Sequence, residues 1–480
     1  MNLPAQLDPA LNRLPEQVEH IHVMGICGTG MAALAGMLQE QGFRITGSDS
    51  NVYPPMSDFL ATAGIEVMDG YGPGNLEPRP DLVVVGNVIR AVNPEAVRLA
   101  ELRIPYLSMP QALAAFFLEG RSPLVVAGTH GKTTTSSLLA TTLHRAGASP
   151  GFMIGGIVEA FGRNSSVGSG PWFVIEGDEY DTAFFNKVSK FLHYRPHGAI
   201  LTSIEFDHAD IFTDLDMIRE SFAAFVRLIP ADGVLVACFD DPVVAETAAL
   251  AACPVISYGT GEQCRWQLRD LEVRGLSSRF AVYRDGQLFG RFTLAMPGLH
   301  NGLNALAVIA LMDHLGFTAN AIGIGLASFE GVRRRQQIRG VAGGVTVIDD
   351  FAHHPTAVRE TVNALRLAWP GRRLIVVFEP RTNSSRRAVF QQQYSSAFAG
   401  ADLVLVREHL PLDSVPPSEQ FSSSRLVRDL QARGLAAHYF ADTDAILDFL
   451  AGQCCEGDVV AILSNGGFDN IHQRLLSRLQ

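Results

Sequence analysis

The stretch LVVAGTHGKTTT, residues 124–135, combines a short apolar run, a glycine-containing loop and the start of a segment with helical character. The apolar run at 124–127 predicts a buried strand that breaks at Gly128, and a helix is expected over 134–146. This order is the layout of a phosphate-binding loop, because glycines let backbone N–H groups approach phosphate oxygens and a helix start adds partial positive charge. In such a loop Lys132 reaches the phosphates and the Thr133 hydroxyl holds Mg²⁺.

The spacing departs from the usual GxxxxGK[ST] loop because position 126 is Val, which leaves the shorter G-T-x-G-K-T at 128–133. A tight strand-to-helix turn with an exposed lysine is the alternative interpretation. The chain has 38 Lys and Arg residues, and only three are lysines: Lys132, Lys187 and Lys190. A chain that otherwise uses Arg has a lysine in this loop, where a compact ammonium fits and a planar guanidinium does not.

The length of 480 residues predicts about three domains. The net charge of −11 argues against nucleic acid as the main partner. Neither a secretory signal nor an apolar run of membrane-spanning length is recognisable, so we expect a cytoplasmic protein without membrane insertion.

The first segment, 1–120, begins with a nucleotide-binding βαβ pattern. A strand at 20–24 leads into GICGTG at 25–30, a helix to residue 40 and a second strand that ends in an acid. The glycines run GxxGxG rather than GxGxxG, so a dinucleotide site, a site for one nucleotide diphosphate, or glycines that serve packing alone are all open. The candidate substrate residues are Gly28, Thr29, Gly30, Asp49 and, in the loop after the strand at 81–85, Asn87.

In the second segment, 121–330, acids follow two further strands. The strand at 172–175 leads to EGDEYD at 176–181, and the strand at 198–203 leads to Glu205, Asp207 and His208. In a parallel sheet these ends lie at the same edge as the phosphate loop, so Glu176 and His208 are predicted to hold Mg²⁺ with Thr133. Solvated surface acids are the alternative.

Three other features of this segment carry predictions, and two of them also have an alternative interpretation. Lys187 and Lys190 would contact an anionic substrate or lie on a solvated helix face. The alternating stretch 264–295, with a turn at Asp285–Gly286, predicts an antiparallel appendage to the central sheet. The stretch 297–304, PGLHNGLN, offers ring and amide groups to an adenine edge or caps the next helix. Its candidate residues are His300, Asn301 and Asn304.

The third segment, 331–480, begins at GVRRR, whose arginines would stabilise phosphates or remain solvated. Strands at 345–348, 373–378, 403–405 and 459–463 predict a second open α/β domain. Arginines, amides and hydroxyls at its strand ends suit a ligand with carboxylates. The predicted fold is therefore α/β with three domains: a Rossmann-like N-terminal domain, a phosphate-loop ATPase-like central parallel sheet with a small antiparallel appendage, and a Rossmann-like C-terminal domain.

The motifs GICGTGM, GTHGKTTT, EGDEYD, EFDHADIF, GLHNGLNAL, GVRRR and DDFAHHPT follow one another in an order that closely resembles the Mur ligases of bacterial cell-wall synthesis. Within that family the chain looks like the branch that acts on UDP-N-acetylmuramate. The resemblance implies that residues 1–120 bind the UDP-sugar, 121–330 bind ATP and 331–480 bring the amino substrate. Some Mur ligases carry a carbamylated lysine after the D-H motif, and this chain has no lysine after Lys190.

The resemblance also implies roles for individual residues. Lys132, His208 and Arg335 would be catalytic, with Glu176 and His208 as metal ligands. The ATP-binding set would be Gly128, Thr129, Gly131, Lys132, Thr133, Thr134, His300, Asn301, Asn304, Arg334 and Asp350. The substrate set in the central and third segments would be Lys187, Lys190, His353, Arg381, Asn383, Ser384 and Asn465.

The expected reaction is ATP-dependent amide formation through an acyl phosphate of the muramate carboxylate. The base that deprotonates the amine is open among His208, Asp178 and His353. The amine is L-alanine in one enzyme of this branch and the recycled tripeptide L-alanyl-γ-D-glutamyl-meso-diaminopimelate in the other. The segments EGDEYDTAFFNKVSKFLHYRP and FEPRTNSS favour the tripeptide.

Two other classes are possible rivals. An NAD-dependent oxidoreductase would use the first glycine loop, but the GxxGxG spacing and the separate phosphate loop count against it. A nucleotide-switch binding protein would use the phosphate loop alone, which gives no reason for the third domain.

Overall fold

The protein, represented by a computed structural model that describes residues 4–53, 56–209, 211–413 and 415–480, is built on three main sheets. The first sheet has the order β3-β2-β1-β4-β5 and is parallel throughout. Its strands are β1 (His20–Met24), β2 (Arg44–Asp49), β3 (Glu66–Asp69), β4 (Leu82–Val85) and β5 (Tyr106–Ser108), and its helices are α1 (Thr29–Glu40), α2 (Met56–Thr62), α3 (Pro94–Leu102) and α4 (Met109–Leu113). The order reverses between β1 and β4, the point where open α/β sheets bind ligands.

The central sheet has ten strands in the order β17-β16-β15-β14-β13-β12-β6-β9-β7-β8. Its interior pairs are parallel, whereas β16, β17 and the opposite edge strand β8 pair antiparallel. The strands are β6 (Ser122–Ala127), β7 (Gly151–Val158), β8 (Arg163–Ser166), β9 (Trp172–Gly177), β12 (Gly198–Leu201), β13 (Val234–Cys238), β14 (Val255–Gly259), β15 (Trp266–Arg274), β16 (Ser277–Arg284) and β17 (Gln287–Leu294). A separate hairpin pairs β10 (Asp181–Ala183) with β11 (Asn186–Ser189).

The central helices are α5 (Lys132–Arg145), α6 (Leu215–Arg227), α7 (Pro242–Ala248), α8 (Leu299–His314) and α9 (Ala319–Ala327). Helix α8 is buried over most of its length, because an apolar run such as Ala305–Met312 has no polar face to turn to water. One continuous apolar core joins the central sheet to one face of the first sheet.

The third sheet has the order β18-β19-β23-β20-β21-β22, with β18 antiparallel and the other pairs parallel. Its strands are β18 (Gln337–Ala342), β19 (Val345–Asp350), β20 (Leu374–Phe378), β21 (Leu403–Arg407), β22 (Ala436–Phe440) and β23 (Val459–Leu463), and its helices are α10 (Pro355–Ala368), α11 (Gln391–Ala397), α12 (Ser423–Ala432), α13 (Thr443–Gln453) and α14 (Ile471–Arg478). Separate apolar cores cover its two faces, as a parallel sheet requires.

The predicted α/β architecture is confirmed, including the antiparallel appendage, whose turn at Asp285–Gly286 joins β16 to β17. Two features differ from the expectations. Helix α5 begins at Lys132, which places the lysine in the first helical turn. The helix face considered for Lys187 and Lys190 is wrong: Lys187 lies on β11 and Lys190 opens a short 3₁₀ turn.

The third domain contacts the central domain through polar side chains. Arg333 pairs with Glu159 at 3.2 Å, and the Thr356 hydroxyl donates to Glu205 at 2.6 Å. The first domain is contacted by the β10–β11 hairpin, where the Phe185 ring lies 4.8 Å from that of Tyr106. Both neighbours therefore approach the central domain near the carboxyl ends of its strands.

None of the helices within the described ranges combines the length and apolarity that crossing a membrane requires.

Candidate functional site

The phosphate loop connects β6 to α5 in a conformation that needs its glycines. Gly128 and Gly131 have φ angles of +129° and +81°, in the left-handed region that side chains rarely adopt. A Cβ on Gly128 would lie 2.1 Å from Thr202 Oγ1, and one on Gly131 would lie 2.7 Å from Asn304 Oδ1. The loop is therefore held close to the ends of β12 and α8, with no room for larger residues.

Lys132 is held inside this loop by its own backbone and by one acid. Its Nζ donates to the Gly128 carbonyl at 2.6 Å and to Glu179 Oε2 at 2.9 Å. Burial works to lower the pKa of Lys132, but the carboxylates of Glu179 and Asp178 outweigh burial and raise the pKa. The lysine therefore stays charged.

Glu179 also contacts the second predicted catalytic residue. His208 Nε2 lies 3.2 Å from Glu179 Oε1, so this acid is shared by an ammonium and an imidazole. Burial favours a lower pKa for His208, and the hydrogen bond and charge of Glu179 reverse this and raise it. The His208 backbone has a φ of +53°, in a region that costs a non-glycine residue about 1–2 kcal/mol. Such strain is concentrated at functional sites.

Because of the Glu179 carboxylate, the free energy of unfolding should change with pH in the acid range. Burial alone would raise the pKa of Glu179, but Lys132 and His208 depress it from 4.5 to about 2. Since the folded pKa is depressed, this stabilisation is present above pH 4.5 and is lost as the pH falls towards 2. We expect Glu179→Gln to cost on the order of 3 kcal/mol at neutral pH, with the cost shrinking below pH 4.5.

Denaturant unfolding of both proteins across this pH range measures that difference. Glu272→Gln is the matched control, because Glu272 is exposed and its ion pair is with exposed Arg274, so its substitution should change little at any pH. A Glu179→Gln cost that stays constant with pH would contradict the prediction.

The hydroxyl of Thr133 lies between an acid of the central domain and an arginine of the third. Thr133 Oγ1 is 3.2 Å from Glu176 Oε2, and Arg335 Nη2 donates to the same hydroxyl at 3.1 Å. Burial, with Asp178, raises the pKa of Glu176. Hydroxyl and carboxylate oxygens are the ligands Mg²⁺ prefers, so Thr133 and Glu176 fit that ion. The expected third ligand, His208, pairs instead with Glu179.

The adenine candidates lie at the start of α8, beside the residues that link the central and third domains. Asn301 Nδ2 donates to the Pro297 carbonyl at 2.8 Å and to Gln336 at 3.2 Å. Within the described part of the chain, His300 Nδ1 is buried without a hydrogen-bond partner. A cavity of about 250 Å³ lies beside these residues, lined by Met296, Pro297, Arg335 and Gln336 among others. A buried ring nitrogen of this kind suits a hydrogen bond to a polar base edge.

Arg334, Arg335 and Asp350 organise the link between the domains. Both guanidinium groups lie over the Phe351 ring, 5.2 and 4.6 Å from its centre. Arg334 Nη2 donates to the carbonyls of Ser464 and Gly466, both at 2.6 Å. Asp350 accepts the backbone N–H groups of residues 336 and 352, each at 2.8 Å, and burial raises its pKa. Asp350 and Phe351, at the end of β19, therefore hold Arg334 and Arg335 in position.

The glycine loop of the first domain starts helix α1. Gly28 and Thr29 are exposed at its N-terminus, Gly30 is half-buried, and Asn87 is exposed in the neighbouring loop after β4. Asp49 is buried, and its Oδ2 accepts the Cys27 N–H at 2.9 Å. This acid therefore positions the glycine loop, in which Gly25, Ile26 and Gly28 also donate their backbone N–H groups to carbonyls of the first domain.

The remaining predicted residues lie in or next to the β10–β11 hairpin, in the third domain and in helix α5. Lys187 is exposed and forms an ion pair with Asp181, whereas Lys190 is buried, 3.3 Å from Asp178 and over the Tyr180 ring. In the third domain Arg381 is exposed and Ser384 accepts the Ala209 N–H at 3.2 Å. His353 Nδ1 lies 3.0 Å from the Phe351 carbonyl, and the side chain of Asn383 accepts a hydrogen bond from Arg386. The backbone carbonyl of Asn465 accepts from Arg334. Thr134 is buried in α5.

Two functional contacts were not identified from the sequence. Glu179 is one of four acids in EGDEYD, and sequence spacing gives no reason to choose it as the partner of Lys132. Phe351 follows Asp350 directly, but its contact with both arginines appears only when β19 is placed beside the linker. Asp210 of the EFDHADIF motif lies outside the described residues.

The chain has an exposed glycine loop, a phosphate loop that contains a lysine, and a third α/β domain whose arginine contacts the phosphate loop. Together these features define a nucleotide-dependent enzyme of three domains. Three family profiles match the chain: "Mur ligase family, catalytic domain" over residues 20–121, "Mur ligase middle domain" over 126–312 and "Mur ligase, glutamate ligase domain" over 333–466.

Individual relatives agree with these matches. The chain is 41% identical to the UDP-N-acetylmuramate--L-alanyl-gamma-D-glutamyl-meso-2,6-diaminoheptandioate ligase of Escherichia coli, covering 96% of this chain and 98% of the relative. It is 33% identical to a UDP-N-acetylmuramate--L-alanine ligase of Geotalea uraniireducens, over 97% of this chain and 99% of the relative. A murein peptide ligase from Psychrobacter arcticus superposes with a TM-score of 0.71 at 34% identity, over 96% and 98% of the two chains. The chain belongs to the Mur ligase family.

Proposed function

We propose that this protein joins the lactyl carboxylate of UDP-N-acetylmuramate to the amino group of L-alanyl-γ-D-glutamyl-meso-diaminopimelate, with conversion of ATP to ADP and phosphate. The observation that carries the proposal is the 3.1 Å hydrogen bond from Arg335 of the third domain to Thr133 of the phosphate loop. This bond brings the third domain, which binds the amine, next to the loop that binds the phosphates of ATP, and ATP activates the lactyl carboxylate. Peptidoglycan recycling is then the process served, in the cytoplasm, where ATP and UDP-sugars are available.

Each domain has one task in this proposal. Residues 1–120 hold the UDP-sugar on the α1 glycine loop, residues 121–330 bind ATP, and residues 331–480 bind the tripeptide. The tripeptide carries several carboxylates, which the exposed Arg381 at the end of β20 suits. Asn383, Ser384 and Asn465 would supply neutral hydrogen-bonding groups around it.

The phosphate loop performs the activation. The carboxylate attacks the γ-phosphate and gives an acyl phosphate, with ADP as the leaving group, because a free carboxylate has no adequate leaving group of its own. The amine then attacks the acyl carbonyl, and phosphate leaves. Lys132 moves from Glu179 to the transferring phosphoryl group, and Arg335 stabilises its charge from the opposite domain. Thr133 and Glu176 would hold Mg²⁺, which would neutralise phosphate charge. Positioning the two substrates supplies much of the remaining rate enhancement.

His353 is the base we favour for the incoming amine. Burial lowers the pKa of His353, which keeps the ring neutral and able to accept a proton. Its Nδ1 donates to the Phe351 carbonyl, so Nε2 carries the free lone pair. His208 is less suited, because Glu179 raises its pKa and so favours the protonated ring. His208 would instead hold Glu179 in place when Lys132 turns to the phosphate.

Phosphate release from ATP in the presence of UDP-N-acetylmuramate tests the substrate. The tripeptide is offered in one reaction and L-alanine in another. We expect release with the tripeptide, and mass spectrometry should find UDP-N-acetylmuramoyl-tripeptide as the product. Release with L-alanine alone would assign the protein to primary synthesis instead. Absence of release with both amines would reject the ligase proposal for these substrates.

A further inference from the structure

Two histidines and a glutamate meet between the central and third domains, away from the Thr133–Glu176 pair. His130 lies in the phosphate loop, Glu205 follows β12, and His354 precedes the first turn of α10. His130 Nε2 is 3.3 Å from Glu205 Oε2, and His354 Nδ1 is 3.7 Å from the same oxygen. The two imidazole rings lie 4.6 Å apart. No step of the proposed reaction uses this cluster.

Two of the three distances between the donor atoms are close to those of a metal site. One ligand atom from each residue lies within 4.8 Å of the other two. A tetrahedral zinc ion with bonds of about 2.0–2.1 Å separates its ligand atoms by roughly 3.3–3.5 Å. The observed 3.3 and 3.7 Å from Glu205 are within a few tenths of an ångström of that value.

The hydrogen bonds of His354 leave one ring nitrogen turned towards the cluster. His354 Nε2 is 3.2 Å from the Phe206 carbonyl, to which it donates, so the Nδ1 lone pair faces the cluster. Two contacts from Thr356 compete with a metal: its N–H donates to His354 Nδ1 at 3.3 Å, and its hydroxyl donates to Glu205 Oε2 at 2.6 Å.

We propose that His130, Glu205 and His354 form a binding site for a transition-metal cation of the zinc class that ties the phosphate loop to the third domain. Two imidazoles select such a cation over Mg²⁺, which prefers oxygen ligands. His130 and Glu205 belong to the central domain and His354 to the third, so an occupied site opposes their separation. The bound cation therefore regulates how freely the third domain leaves the phosphate loop.

Co²⁺ titration of the full-length protein in millimolar Mg²⁺ tests the site, because Co²⁺ replaces zinc and absorbs visible light. We expect one tight Co²⁺ with the absorption bands of a low-coordinate site, displaced by Zn²⁺, and an increase in the thermal midpoint. His354→Asn keeps a side-chain acceptor for the α10 N-terminus but removes the imidazole. It should weaken Co²⁺ binding by about tenfold or more and abolish the midpoint increase. Glu205→Gln is a second variant with the same expectation.

Two controls separate this cluster from other metal-binding groups. His438→Asn changes an exposed histidine of β22, and His208→Asn changes the histidine beside Glu179. Both should retain tight Co²⁺ binding. Absence of a tight Co²⁺ in the unmodified protein would overturn the proposal. So would tight binding that survives both His354→Asn and Glu205→Gln, or that is lost in His208→Asn.

Discussion

Replacing Lys132 by alanine is expected to lower ATP-dependent turnover by about 100- to 1000-fold or more, the effect of removing one preorganised donor to a charged transition state. Lys132 lies in the phosphate loop, and its ammonium already meets a carboxylate at 2.9 Å. The alanine variant leaves Glu179 buried with only His208 as a charged partner. Loss of one member of a buried ion pair costs about 3–5 kcal/mol, so stability must be measured beside the rate.

The double variant Lys132→Ala/Glu179→Gln separates the two effects. It removes the unpaired charge, so it should regain much of the free energy of unfolding while turnover stays low. Phosphate release and denaturant unfolding are the two measurements. Arg274→Ala, an exposed surface change, should leave both unchanged. Near-normal turnover in Lys132→Ala, or recovery of turnover in the double variant, would refute the role of the lysine.

Arg335→Ala should also reduce turnover by about 100-fold or more, through the contact between domains. Its guanidinium donates to Thr133 and lies over the Phe351 ring, 4.6 Å from the centre. Arg335→Lys should recover little of the rate, because an ammonium lacks the planar face and the fork of donors. Initial rates at saturating substrates and at low ATP show whether the loss is in kcat or in ATP binding.

Arg333→Ala is the matched control for this experiment. Arg333 is two positions away and carries the same charge, but it is half-exposed and pairs with Glu159 at the surface. We expect its loss to change turnover by less than about threefold, since an exposed pair contributes about 1 kcal/mol at most. Equal losses in Arg333→Ala and Arg335→Ala would mean that the linker acts through its net charge rather than through the Thr133 contact.

The phosphate loop and most strands could be predicted because each signal is local. The apolar run before Gly128 can only be a buried strand, and the glycines there and at 131 have left-handed backbones. The turn at Asp285–Gly286 is similarly set by two neighbouring residues. The helix face considered as the alternative for Lys187 and Lys190 was wrong, since a short segment between strands carries no period long enough to separate helix from hairpin.

Contacts between distant residues could not be predicted in the same way. Asp49, a predicted substrate residue, also accepts the Cys27 N–H, because β2 ends beside the glycine loop. His208, a predicted metal ligand, has a left-handed backbone and contacts Glu179, which the sequence did not indicate. Which acid a distant residue contacts depends on differences of a few ångströms in the positions of neighbouring acids. The spacing of residues along the chain does not encode these differences.

The sequence by itself determined the three-domain α/β architecture, the phosphate loop and the identity of the groups available for chemistry, because strand periodicity, glycine requirements and side-chain chemistry are properties of short segments. Only the tertiary structure decided which groups meet. It paired Lys132 with Glu179, brought Arg335 to Thr133 across 202 positions and assembled His130, Glu205 and His354 between two domains. These contacts arise from the packing of whole sheets, whose free energy is spread over many apolar residues far from the site.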